Sequence, residues 1–147
     1  FDLKNSHFIP ALIKKIIHSK IKNKRSIEIW GTGKPKREVM HVDDLSSAIY
    51  FIIKKKLNNN KLLLNYLKKS SLINVGSRNE YTIKQYAILI TKLVENKYKL
   101  VFNKSYPDGT KRKILDNSFM KKLGWEPKIS LYKGLSDTIK WYKNNYL

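Results

Sequence analysis

The amino-acid sequence predicts an α/β fold, and three observations carry that prediction. Apolar residues recur at helical spacing in several separate segments. Short alternating or β-branched runs stand between them. Capping and turn residues punctuate the boundaries. Strands that alternate with helices along one chain define the α/β class.

The elements follow in chain order. Ile9, Leu12, Ile13, Ile16 and Ile17 mark a helix near 8–22, with Pro10 suited to the first turn and Lys14 and Lys15 on or beside its polar side. Ile27-Glu28-Ile29-Trp30 alternates as a strand and stops at the turn Gly31-Thr32-Gly33-Lys34-Pro35. Residues Arg37 to Val42 form a second short extended piece. Asp43 and Asp44 then sit where a helix N-terminus favours negative charge, and Leu45, Ala48, Ile49, Ile52 and Ile53 carry that helix to about Lys56. Residues 54–71 are rich in lysine, asparagine and leucine and read as an elongated loop insertion, with room for a short helix at Leu62 to Leu67. Leu72 to Gly76 reads as a buried strand. Thr82 and Gln85 make a capping box for a helix through about Asn96, with Ile83, Tyr86, Ile90, Leu93 and Val94 on one side. Lys99 to Phe102 is a further strand, followed by the turn Tyr106-Pro107-Asp108-Gly109. A short helix near 117–123 stops at Gly124, and Ser130 starts a terminal helix whose Leu131, Leu135, Ile139 and Tyr142 face inward.

At 147 residues the chain has length for one domain with a real core, and 41% hydrophobic with 29% charged residues is ordinary for a soluble globular protein. No apolar run reaches the roughly 20 residues that span a bilayer. The absence of cysteine excludes disulfides, thiolate metal sites and a cysteine nucleophile within these residues, and is compatible with a cytoplasmic protein. The first residue is not Met, so a piece of a longer protein is expected. A net charge of +20 favours polyanions. Its source is lysine spread along the chain, since Arg25, Arg37, Arg78 and Arg112 are the only arginines. A solvated lysine surface explains the charge without a dedicated nucleic-acid site.

No Gly-x-Gly-x-x-Gly follows an opening strand. Gly31-Thr32-Gly33 runs into Lys34-Pro35 rather than into a helix with a third glycine, so a dinucleotide fingerprint is excluded. Tyr50 and Lys54 have the four-residue spacing of a reductase pair, a coincidence readily produced in a lysine-rich chain.

Several segments resemble the distal half of an extended short-chain dehydrogenase/reductase. They are Arg37-Glu38-Val39-Met40-His41-Val42-Asp43-Asp44-Leu45, Ile73-Asn74-Val75-Gly76 with Thr82-Ile83, and Leu123-Gly124-Trp125-Glu126-Pro127. Two runs narrow the resemblance. Asn5-Ser6-His7-Phe8-Ile9-Pro10-Ala11-Leu12 is similar to the Asn-Ser-His-Val-Ile-Pro-Ala-Leu run of the GDP-L-fucose synthases, and Tyr106-Pro107-Asp108-Gly109-Thr110-Lys111-Arg112-Lys113 to their Lys-Pro-Asp-Gly-Thr-Pro-Arg-Lys. Phe8, Tyr106 and Lys111 depart from the family pattern.

The resemblance implies that residues 1–147 are the C-terminal, substrate-binding portion of such an enzyme, with the Rossmann dinucleotide-binding core outside them. It implies 3,5-epimerisation of GDP-4-keto-6-deoxy-D-mannose and NADPH-dependent reduction at C4. The fragment alone would be inactive, and the full-length protein a cytoplasmic homodimer. Epimerisation beside a ketone needs a base to take a proton and an acid to return one on the opposite face. In the family these are a cysteine and a histidine, and the histidine matches His7, which also contacts NADP. An imidazole titrates near pH 6.5 when unperturbed, so it can hold a proton and still release it.

The resemblance also implies substrate contacts. Lys15 falls near the diphosphate, Trp30 packs on nucleotide or sugar, Arg37 forks onto a phosphate, and Asp108 accepts sugar hydroxyls. Each has a plainer reading: a helix cap or surface residue for His7, a solvated cation for Lys15, a core tryptophan for Trp30 and a turn aspartate for Asp108. His41, Asp43 and Asp44 read as a strand end and helix start rather than a metal cluster. His18 reads as a surface residue, and Trp125 and Trp141 as core packing. The rivals are another nucleotide-sugar epimerase or dehydratase and, from a different class, a basic nucleic-acid-binding domain. The second lacks an arginine cluster and a recognisable reader motif. No specific nucleic acid, membrane or metal partner is expected.

Overall fold

The computed structural model describes residues 1, 6–95, 97 and 99–147. Asn5, the first residue of the Asn5–Leu12 run, and Asn96, the expected helix end, lie outside the described residues. The chain divides into two compact units, and neither is contiguous in sequence.

The first unit holds residues 1–37, 81–113 and 135–147. It opens on α1 (Phe8–Ile21), whose Leu12, Ile13, Ile16 and Ile17 are buried at the expected spacing. Pro10 lies in the first turn, where a missing N–H costs nothing. Strand β1 (Ser26–Trp30) buries Ile27 and Ile29 and turns Ser26, Glu28 and Trp30 outward. It pairs in parallel with β4 (Lys99–Asn103), Trp30 opposite Asn103. A second sheet has the order β3 (Glu80–Thr82), β2 (Lys36–Glu38), β5 (Arg112–Lys113), with β2 and β5 parallel. Helix α4 (Ile83–Leu93) starts on the expected capping box: Thr82 Oγ1 accepts from the Gln85 N–H, and Gln85 Oε1 accepts from the Thr82 N–H. A cap of this kind is worth about 1 kcal/mol. Helix α6 (Leu131–Tyr146) contributes Leu135, Ile139 and Tyr142 to the core.

Two sequence expectations fail in this unit. His18 is half-buried rather than on the surface, with Nε2 3.1 Å from the Tyr142 hydroxyl. Trp141 is 51% exposed and rests on Phe1 instead of packing in a core. Helical periodicity places Tyr142 inward, so its neighbour Trp141 must turn away.

The second unit holds residues 38–80 and 114–134. Helix α2 (Val42–Leu57) begins at His41, which is an N-cap rather than a strand residue: its Nδ1 accepts from the Asp43 N–H at 3.3 Å. Buried Asp44 accepts the backbone N–H groups of Lys128 and Ile129 at 2.9 and 3.0 Å. The 54–71 stretch is not an elongated loop. α2 runs through Leu57, and α3 (Lys61–Leu67) follows after one tight turn, capped by Asn60. This is the short helix expected at Leu62 to Leu67, and its Leu63 is fully buried with Ala48, Met120, Leu123 and Trp125. Residues 72–76 form no strand; their place is set by Asn117, whose side chain donates to the Gly76 carbonyl at 2.9 Å. α5 (Ser118–Leu123) ends at Gly124 in the left-handed conformation, φ 92°, as its sequence requires. Trp125 is core, and its Nε1 donates to Ser47.

Candidate functional site

All five sequence-predicted site residues fall in the first unit. The outward face of β1 floors a cleft of about 590 Å³, within the range of small-molecule sites. Lys15 of α1, Arg25 at the β1 approach, Glu28, Trp30 and Tyr106 line it. The Lys15 ammonium donates to the Glu28 carbonyl at 2.9 Å and lies 5.3 Å from the centre of the Trp30 ring. Partial burial holds its pKa below the ordinary lysine value; Glu28 opposes that shift and Lys24 adds to it. A partly desolvated cation beside an aromatic face is a place where a bound anion recovers electrostatic energy.

Trp30 is 56% exposed, so it is no core tryptophan. Tyr106 stacks on it with ring centres 4.4 Å apart and planes 12° from parallel. Asp108 grips the end of β1: its Oδ1 accepts the Thr32 N–H at 2.8 Å and its Oδ2 the Thr32 hydroxyl at 2.6 Å. Gly31 has φ +79°, and a Cβ there would stand 2.3 Å from Asp108 Oδ1, so the grip requires glycine. Arg37 Nη1 donates to the Thr110 and Lys36 carbonyls at 2.6 and 2.7 Å. The Arg37 carbonyl accepts from buried Tyr86 at 2.9 Å.

The segment from Tyr106 to Thr110 therefore ties the site together at alternate residues. Tyr106 meets Trp30, Asp108 meets Thr32 and Thr110 meets Arg37. Lys15 and Trp30 share the cleft, while Arg37 and Asp108 attach to it through this segment. The two Asp108 oxygens, expected to face sugar hydroxyls, hold Thr32 in the ligand-free chain. His7 stands apart from these contacts. It is exposed at the N-cap of α1 and makes no side-chain cap bond there. It lies eight helical positions, about 12 Å of rise, before Lys15. Among the described residues no group of acidic, histidine or cysteine side chains is placed to hold a metal ion, and no helix is long and apolar enough to cross a membrane.

The two Thr32 hydrogen bonds hold the Asp108 carboxyl below the usual carboxylate range. A depressed folded-state pKa stabilises the grip above the unfolded value, and the contribution is lost as pH falls through the folded one. An NMR titration of the Asp108 carboxyl is expected to give a midpoint below that of an unperturbed aspartate, and Thr32→Val to raise it. A midpoint indifferent to Thr32→Val rejects the grip.

The NAD dependent epimerase/dehydratase family model matches residues 1–76, just over half of the chain. The chain belongs to that family. A rice (Oryza sativa subsp. japonica) relative named "Probable GDP-L-fucose synthase 1" is 41% identical over 147 residues, all of this chain and 42% of that protein. The GDP-L-fucose synthase of Escherichia coli (strain K12) is 39% identical over 145 residues, 99% of this chain and 44% of that protein. Among solved structures, the GDP-mannoheptose C4 reductase MlghC from Campylobacter jejuni, with NADP bound, is 33% identical with a TM-score of 0.75, over 97% of this chain and 46% of that one. The chain thus spans less than half the length of these epimerase/dehydratase relatives. Its α/β architecture is that of part of an extended short-chain dehydrogenase/reductase.

Family membership raises the question of NADP. The one Gly-x-Gly of the chain is committed to local packing: a Cβ at Gly31 would meet Asp108, and at Gly33 would stand 2.4 Å from the Phe102 ring. Neither glycine fits a pyrophosphate cradle. Sequence reasoning passed over Thr32, Glu28 and Thr110. Tyr106 stood in the sequence only as one of three departures from the family runs, since nothing local in a polar turn announces a stack on a distant tryptophan.

Proposed function

We propose that this chain is the substrate-binding portion of a nucleotide-sugar epimerase/reductase that converts GDP-4-keto-6-deoxy-D-mannose to GDP-L-fucose by 3,5-epimerisation and 4-reduction. The observation that carries the reading is the cleft over β1, where a half-desolvated Lys15 and the exposed Trp30 stand together. A nucleoside diphosphate sugar offers both complements, a flat base and a diphosphate. The sequence likeness to proteins named GDP-L-fucose synthase supports this sugar. In this reading Lys15 and Arg37 attract the diphosphate, Trp30 packs on the ligand, and Asp108 holds the turn that closes the site or turns to a sugar hydroxyl. His7 delivers a proton to the carbon beside the ketone, opposite the face from which a base outside these residues removed one. Bound NADPH supplies the hydride for C4. The homodimer and the cytoplasmic setting belong to the same reading.

Lacking a dinucleotide fingerprint, the 147-residue chain by itself is expected to oxidise no NADPH. It should still bind GDP, seen as a rise in its thermal midpoint that grows with GDP concentration. NADPH turnover by the purified chain defeats the division of labour. Absence of any GDP effect, with sequence-specific DNA retention at physiological salt, favours the nucleic-acid alternative instead.

A further inference from the structure

We propose that Tyr106 is a specificity-determining residue of the β1 cleft: with Trp30 it forms a two-ring platform that selects ligands carrying a flat base over ligands that offer phosphate alone. The proposal rests on the nucleotide-sugar reading of the same cleft and goes beyond it in assigning Tyr106.

Three features of the fold argue for a platform rather than an incidental contact. First, rings 4.4 Å apart and 12° from parallel leave no room for a third between them, so the pair acts as one surface. That surface stays open: Trp30 is 56% and Tyr106 41% exposed, and both line the cleft. Large aromatic area left exposed at a cleft edge is apolar surface that a ligand can cover, and every nucleobase has a face to do so.

Second, the Tyr106 ring is positioned by pins on both sides of it. Before it, the Ser105 N–H and hydroxyl both donate to Asn103 Oδ1, at 3.0 and 2.6 Å, and Asn103 Nδ2 donates to the Glu28 carboxylate at 3.1 Å. After it, Asp108 grips Thr32. A ring fixed by its backbone neighbours loses little further freedom when a ligand stacks on it.

Third, Lys15 and Arg25 line the same cleft, and the Lys15 ammonium lies over the Trp30 ring. The phosphate of a nucleotide has a partner there whether or not the base is stacked. Charge alone would therefore admit pyrophosphate, and discrimination must come from the rings.

Calorimetric titration with GDP and with inorganic pyrophosphate separates the two contributions. Tyr106→Ala is expected to weaken GDP binding about 10-fold, equivalent to about 1.4 kcal/mol. That is within what a stacked base contributes. Pyrophosphate binding should change less than about twofold, and Tyr106→Phe should bind GDP like the wild type. Tyr106→Ser, a neutral substitution at an exposed turn, repeats the measurement if the alanine variant does not fold. GDP affinity that is unchanged or tighter without the ring overturns the proposal, as does an equal loss for both ligands. Wild-type chain that binds neither ligand removes the nucleotide-sugar reading itself, an outcome distinct from these.

Discussion

Replacing His7 by glutamine in the longer protein is expected to lower epimerisation by about 10²–10⁴-fold, the usual worth of one positioned acid or base. The readouts are formation of the C3/C5-inverted sugar and solvent deuterium incorporation at those carbons. Glutamine keeps a hydrogen-bonding side chain of similar length and removes the titratable proton. The His7 side chain is exposed and makes no cap bond in α1, so the fold should hold its stability within about 0.5 kcal/mol. Loss of activity without loss of stability is therefore the expected signature. Undiminished inversion at both carbons assigns the proton to another group. A fold that collapses on this substitution shows instead that His7 supports the start of α1.

Tyr86→Ala is expected to cost about 3–5 kcal/mol, a large part of the stability of an ordinary domain. Tyr86 is fully buried, and its ring meets the edges of Phe8 and Tyr81 at 5.2 and 5.7 Å. Its hydroxyl donates to the Arg37 carbonyl, so the same side chain that fills the core of the first unit also holds β2 beneath the candidate phosphate contact. Tyr86→Phe isolates the second role. It keeps the ring, leaves a carbonyl without this donor, and should cost about 1 kcal/mol with weaker GDP binding. Guanidinium unfolding of the three proteins measures the first effect through the transition midpoint. A midpoint for Tyr86→Ala close to wild type contradicts the packing described here.

How much was legible in the sequence depended on whether the signal was local. The capping box at Thr82 and Gln85, the left-handed Gly124 and the apolar period of α1 are decided by neighbours within one or two turns, and all three stand as expected. In the 54–71 stretch the short helix at Leu62 to Leu67 was legible, but the loop reading around it misled, because a lysine-rich composition looks like solvated loop while the helix buried Leu63 fully. Residues 72–76 misled in the opposite sense. A β-branched run has strand propensity, but a strand exists only when another chain segment offers a ladder. His18 was misplaced because its partner, the Tyr142 hydroxyl of α6, lies more than 100 residues away in sequence, and Trp141 because the inward turn of Tyr142 sends its neighbour outward.

The candidate site divides in the same way. Sequence alone supplied the candidates: a histidine at the start of α1, a lysine two turns on, a tryptophan ending an alternating strand, and a rare arginine. They were carried by the resemblance of short runs to a known family, and such runs are local quantities. Only the tertiary structure decided that residues 106–110 reach back across about 75 positions to touch Trp30, Thr32 and Arg37 in turn. The parallel pairing of β1 with β4 brings that segment home, and such pairings are set by long-range burial that no short window of sequence contains. Tyr106 is the clearest case. In the sequence it is a departure from a pattern; in the fold it is half of the exposed aromatic surface beside the charges of the cleft.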